Sequence, residues 1–317
     1  MSKTVAYLSQ IRKKEIVGAL LLVMLISAPF LSFAKTKKIY VDDNASSTQD
    51  GSADHPYKTI KEAMKHSNKS TEIHILPGKY KENVDMKEGV EIYGDSEKTV
   101  TIEASNDNKA VIEMDNDTKI NKVTVKGGKY GIEIDKNSKA SIIKCVIKDN
   151  EKDGIRIKEG DVKKSKRVSI SENTIKNNGR TGIYSEKRDL SIIDNEISKN
   201  NGDGIDLSAG TTMWFHDNNV KNNQGSGMKI VLDNSNIWTK NNTYRNNNRE
   251  GIEINAYGKS GRVDINKSRI HGNSRYGIAR IKRAAFSSSL WNDLTVQKST
   301  SFWDNAKGSI SQIIPIF

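Results

Sequence analysis

The chain has a single cysteine, Cys145, in 317 residues, so no intramolecular disulfide can staple it and stability has to come from packing. It also has only four prolines and five histidines. So few prolines leave nearly every backbone N–H free to enter a regular ladder. The histidines are scattered, and no Cys/His spacing of the kind that builds a zinc site occurs. A Gly-x-Ser-x-Gly elbow and a phosphate-cradling glycine loop are likewise missing, which removes the simplest signals for a serine hydrolase or a nucleotide enzyme. After residue 34 no stretch is apolar enough to span a bilayer. Abundant Asn, Gly and Ile point instead to short strands joined by tight turns.

One long apolar run does exist, at the N-terminus. Lys13 and Lys14 precede the segment Ile16–Phe33, which closes on Ser32-Phe33-Ala34 before Lys35. A basic start, an apolar middle and a small-x-small end predict a signal peptide over residues 1–34. Left uncleaved, the same run would be the only membrane attachment. Either outcome places the remainder in a secreted, periplasmic or cell-surface setting. The net charge is +12, and the leader removes only Lys3, Arg12, Lys13, Lys14 and Glu15. A basic exported chain favours anionic partners such as an acidic polysaccharide or another cell-surface polymer. Nucleic acid suits the charge but not the compartment, and nothing in the sequence sets the oligomeric state.

The repeat carries most of the information. A glycine opening an apolar-x-apolar strand recurs at Gly131, Gly154, Gly182, Gly204, Gly227, Gly251 and Gly277, with gaps of 23, 28, 22, 23, 24 and 26 residues. Alternation of period two inside units this short marks strands, not paired helices. Four residues before each glycine from Gly154 on stands Asn150, Asn178, Asn200, Asn223, Asn247 or Asn273, and nine before stand Asn173, Asn195, Asn218 and Asn242 in four of the units. Further apolar columns lie seven, twelve and fourteen residues before it. Each unit thus holds three short strands around a shared axial core, and like residues stack from turn to turn. The predicted fold is all-β, a right-handed parallel β-helix or three-strand solenoid. The asparagine columns are expected to tolerate left-handed backbone at corners and to hydrogen-bond along the stack. Pro56-Tyr57-Lys58-Thr59-Ile60 opens a helical pattern, read as a capping helix near 56–67 within an N-terminal cap over 35–72. The solenoid is placed at 73–290, and 291–317 is read as a C-terminal cap or tail.

The segments Tyr40-Val41-Asp42-Asp43, His55-Pro56-Tyr57-Lys58-Thr59-Ile60-Lys61-Glu62-Ala63 and Ile75-Leu76-Pro77-Gly78-Lys79-Tyr80 resemble the N-terminal cap of pectin-lyase-like β-helix proteins. The Asn…Gly-Ile units look like the generic repeats of that superfamily. The resemblance covers roughly residues 38–290 and implies a fold. It matches no one enzyme family, because the superfamily holds lyases, epimerases, hydrolases and non-catalytic binders. The Asp-Pro-His-Asp signature of alginate epimerases and the paired aspartates of polygalacturonases are missing here.

Two outward files could carry chemistry. Two residues after the glycine the series includes Arg156, Tyr184, Asp206 and Lys229. These are the residue types, base, cation and proton donor, that lyases and uronate epimerases use to abstract a proton beside a carboxylate. Charge pairing between neighbouring strands is the competing structural explanation. No cofactor is required. Asp203 with Asp206 is the one pair that could contribute to a Ca²⁺ site, and no metal site is assigned. Thirteen residues before the glycine, Trp214 and Trp238 fall in consecutive units, with His216 and Lys240 next outward. Stacked indoles edged by cations suit an anionic sugar chain, while cover by a loop or a protein partner is the alternative. The basic insertion 158–167 is expected to protrude. The sequence therefore predicts an exported β-helix that binds, and processes in lyase- or epimerase-like fashion, an anionic polysaccharide. The alternative is a non-catalytic structural or adhesive surface protein.

Overall fold

A computed structural model describes residues 36–46, 48–160, 166–256, 260–282 and 294–315. The leader 1–34 and residues 161–165 of the basic insertion lie outside the described residues.

Three parallel sheets wind along the chain. Among the described residues, sheet A has eleven strands, from Lys37–Val41 to Leu294–Val296, and sheet B has ten, from Gly78–Lys81 to Ser301–Trp303. Sheet C also has ten, from Val84–Met86 to Gly308–Pro315. The chain visits A, B and C in turn, so each strand pairs in parallel with the equivalent strand one unit away. The glycine-anchored columns become register lines: Ile132 pairs with Ile155, Ile155 with Ile183 and Ile183 with Ile205. Their side chains are completely buried in one continuous core. Burying such a residue stabilises by about 1.5–3 kcal/mol, and this file alone supplies it once per turn.

Solenoid strands begin earlier and end later than the 73–290 span. Lys37–Val41 already pairs with Thr71–Ile75, and sheets B and C each gain a strand after residue 300. The helix is shorter than the pattern suggested, Ile60–Lys65, with Thr59 rather than Pro56 at its N-cap accepting the Glu62 N–H. Tyr57 is diverted into an isolated bridge with Val41, which excludes the first predicted turn. Ile60, Ala63 and Met64 are its buried residues.

Both asparagine columns form ladders. In one, Nδ2 of Asn150, Asn178, Asn200, Asn223 and Asn247 donates to Oδ1 of the next asparagine at 2.9–3.0 Å. In the other, Asn173, Asn195 and Asn218 do the same at 2.9–3.2 Å. The left-handed residue, however, is the one before each ladder asparagine. Asp194, Asp217 and Asn241 turn the A–B corner, and Lys199, Asn222 and Asn246 the B–C corner, with φ between 54° and 61°. The strain sits on a solvent-facing neighbour, and the asparagine points inward, where its amide is buried and satisfied.

The recurrent glycine has a steric cause. A Cβ at Gly204 would stand 2.5 Å from the Gly227 carbonyl oxygen and 2.5 Å from Val220 Cγ1. Successive turns approach too closely there for any side chain.

Candidate functional site

The proposed catalytic file lies on sheet C. Arg156, Tyr184, Asp206 and Lys229 are consecutive register partners, so adjacent strands bring them together at the parallel-sheet spacing of ~4.8 Å. Most of their charge is engaged locally. Arg156 reaches Glu133 at 3.7 Å and Asp153 at 3.5 Å, while its guanidinium lies 5.0 Å from the Tyr130 ring and 5.1 Å from the Tyr184 ring. Lys229 pairs with Asp206 at 3.3 Å. The Tyr184 hydroxyl stands 3.4 Å from Glu186 and 3.4 Å from Ser208 Oγ. Lys158, from the basic insertion, is held by Glu133 at 2.7 Å and Asp135 at 2.8 Å.

Beside this file the corner between turns gathers carboxylates. Glu250 and Glu253 are buried, and Arg249 reaches them at 3.6 Å and 3.3 Å. Asp203 accepts the Ser226 N–H at 2.6 Å. Burial, with Asp206 and Glu253 nearby, pushes the Asp203 carboxyl up to about 6. Burial likewise raises the carboxyls of Asp153 and Glu113 on this side, and Lys229 is the cationic neighbour of Asp203. Spacing from the glycine placed Asp203 next to the file. Only the packing of one turn on the next revealed its shifted titration.

The Lys229 ammonium lies 3.3 Å from Asp206, and among the described residues no group of three or more His, Cys, Asp or Glu side chains is arranged to hold a metal ion.

Trp214, Trp238, His216 and Lys240 lie on sheet A, a different face from the first four. Trp214 pairs with Trp238 and His216 with Lys240. The indoles stack with centroids 4.8 Å apart and planes 15° apart. Trp214's other register partner is Ser191, too small to cover an indole, and Trp214 is 47% exposed. An open cleft of about 730 Å³ runs over both rings, edged by His216, Lys240, Asp264 and Lys267. His216 Nδ1 lies 2.7 Å from Asp217, and this contact orients the ring.

A family model described as "Right handed beta helix region" matches residues 88–232 and 130–290. The chain belongs to the right-handed β-helix family. Among solved structures, this β-helix is similar to the A-module of the mannuronan C-5 epimerase AlgE6 of Azotobacter vinelandii. That match has 14% identity and a TM-score of 0.61, and covers 80% of this chain and 73% of that one. It is also similar to pectate lyase Pel9A, with 13% identity, a TM-score of 0.54 and coverage of 87% and 78%. At such identities the likeness concerns the fold alone. No curated protein matches the sequence.

Proposed function

We propose that this β-helix is exported and binds an anionic polysaccharide along sheet A, over the Trp214–Trp238 stack. The observation that carries this reading is the pair of stacked, partly exposed indoles in an open cleft with cations at its rim. Flat apolar rings on a rigid sheet suit the C–H face of a pyranose, and Lys240 and Lys267 suit its carboxylates or sulfates. The structurally similar epimerase and lyase are named for mannuronan and pectate, which agrees with the reading. Affinity electrophoresis in alginate, pectate and heparin-like gels tests it. Retardation at low salt is expected, weakened at least tenfold in the Trp214→Ala/Trp238→Ala variant with little change in melting temperature. Equal mobility of both proteins in every anionic gel would overturn it and favour a structural or adhesive role.

A second reading, processing of a uronate chain lying along sheet C instead of sheet A, rests on Asp203. With the Asp203 carboxyl near 6, one of Asp203 and Tyr184 would take the proton beside a uronate carboxylate. The other would return a proton, to the departing glycosidic oxygen as its C–O bond breaks (elimination) or to the opposite face of the same carbon (epimerisation). Lys229 and Arg156 would neutralise that carboxylate, and Asp206 would hold Lys229 in place. The chemistry is elimination or epimerisation. The unsaturated-uronate absorbance and the proton NMR spectrum of the polymer report the two outcomes. Turnover lost in Asp203→Asn and Tyr184→Phe supports the assignment, and a polymer unchanged by the unmodified protein removes it.

A further inference from the structure

Sheet B carries a pattern that neither face above uses. Its outward file places Lys126, Lys148 and Lys176 on consecutive strands, and Lys221 and Arg245 on two more after an intervening Ser198. The only acidic residues on the strands of sheet B are Glu103 and Glu196. Glu103 meets Lys126 at 3.3 Å and Glu196 meets Lys221 at 2.9 Å; at the adjoining corner, Asp149 meets Lys148 at 3.5 Å. Lys176 and Arg245 have no ion-pair partner among the described residues. Like charges directly opposite on neighbouring strands repel, and the sheet compensates only part of this file, through Glu103 at Lys126 and Glu196 at Lys221, with Glu196 also acting on Lys176.

The file ends in an aromatic platform. His271 and Trp303 continue the register and stack with centroids 4.0 Å apart and planes 10° apart; Trp303 is 41% exposed. Together with Arg245 and Arg269 they border an open cleft of about 770 Å³, whose lining also carries the carboxylates of Asp194 and Asp217. Burial, and then Arg245 and Arg269, hold the His271 proton below its ordinary range, as expected where positive potential accumulates.

We infer that sheet B is a second docking track, for a linear polysaccharide bearing one carboxylate per sugar and lying parallel to the solenoid axis, with a sugar ring seated against His271–Trp303. The inference rests on the anionic-polysaccharide reading and adds a surface and a charge spacing to it. Parallel strands set one cation every ~4.8 Å along a straight line, close to the advance of one pyranose in an extended chain. A duplex nucleic acid winds its phosphates away from a straight flat file and would meet few of these groups. The cations are mainly lysines, point charges on flexible stems, which suits carboxylates offered one per sugar along a chain.

The test compares the full-length protein with Lys148→Gln/Lys176→Gln/Arg245→Gln and, separately, with Trp214→Ala/Trp238→Ala. The probes are polygalacturonate (a charge on every sugar), hyaluronan (a charge on every second sugar) and an oligothymidylate, measured across a salt series. The sheet B variant is expected to bind polygalacturonate at least tenfold more weakly, with a shallower salt dependence. Hyaluronan is expected to bind the unmodified protein more weakly than polygalacturonate. A sheet B variant that binds like the unmodified protein, while the tryptophan variant does not, overturns the second track and leaves the sheet A reading intact. Loss in the sheet B variant alone supports the track and rejects sheet A. Hyaluronan binding as tightly as polygalacturonate overturns the spacing, and oligothymidylate binding more tightly than either overturns the carbohydrate assignment.

Discussion

Sheets B and C present the same kind of outward file and arrange charge in opposite ways. On sheet C, from Glu133 to Glu253, acids and bases largely answer one another, Glu133 with Arg156 and Asp206 with Lys229 across strands, and Glu253 with Arg249 within its own turn. On sheet B, lysines follow lysines, and Lys176 and Arg245 have no ion-pair partner among the described residues. The solenoid stacks whatever residue the repeat supplies, so each file shows without ambiguity what its sequence column contains. Where the column alternates, the charges are accounted for by the fold itself. Where it repeats one sign, the fold answers only some of the charges, Lys126, Lys148 and Lys221 on sheet B, and an external anion is the natural complement of the rest.

The comparison predicts where substitutions will hurt. The largest effect is expected for Arg249→Ala. It leaves the buried carboxylates of Glu250 and Glu253 with fewer cationic partners and should cost about 2–4 kcal/mol, read by chemical denaturation at pH 7. A loss under 0.5 kcal/mol would mean that the sheet C charges are not engaged as described.

A smaller effect of opposite sign is expected for Asp203→Asn. The folded carboxyl titrates at about 6, above the ordinary aspartate value of 3.8, so the folded state holds this proton more tightly than the unfolded chain. Stability from this group is greatest below about pH 4 and declines as pH rises through 6. Asparagine still accepts the Ser226 N–H, so the variant should be more stable than the unmodified protein at pH 8, by about 1–3 kcal/mol. The advantage should vanish near pH 4. An advantage that grows on acidification would invert the assignment.

The smallest effect is expected on sheet B. Lys176→Gln should be neutral or stabilising by a few tenths of a kcal/mol, because it relieves repulsion from Lys148. Destabilisation by more than 1 kcal/mol would show that the lysine file supports the fold after all.

Much of this arrangement was legible in the residues. The glycine spacing aligned the units, and the files Arg156–Lys229 and Trp214–Trp238 emerged in register because a parallel coil translates sequence columns directly into vertical neighbours. The sheet B file was equally present in the sequence. It carries no local motif, because most of its strands are three residues long around a single buried apolar residue, as in Thr174-Ile175-Lys176. The placement of left-handed backbone was misassigned to the asparagines themselves, since an Asx residue suits either the corner or the ladder, and only packing separates the two. The helix shrank because Tyr57 had a competing strand partner that local periodicity does not reveal.

The amino-acid sequence by itself determined the solenoid and its order of neighbours: a repeat of near-constant length with fixed inward positions has one economical way to bury its isoleucines. Tertiary structure decided what the outward groups became. It paired most of the sheet C charges, raised the Asp203 carboxyl by enclosing it between turns, left Trp214 open above Ser191 and set the lysines of sheet B in line. Ion pairing, desolvation and exposure depend on side chains more than twenty residues apart that meet only when successive turns stack.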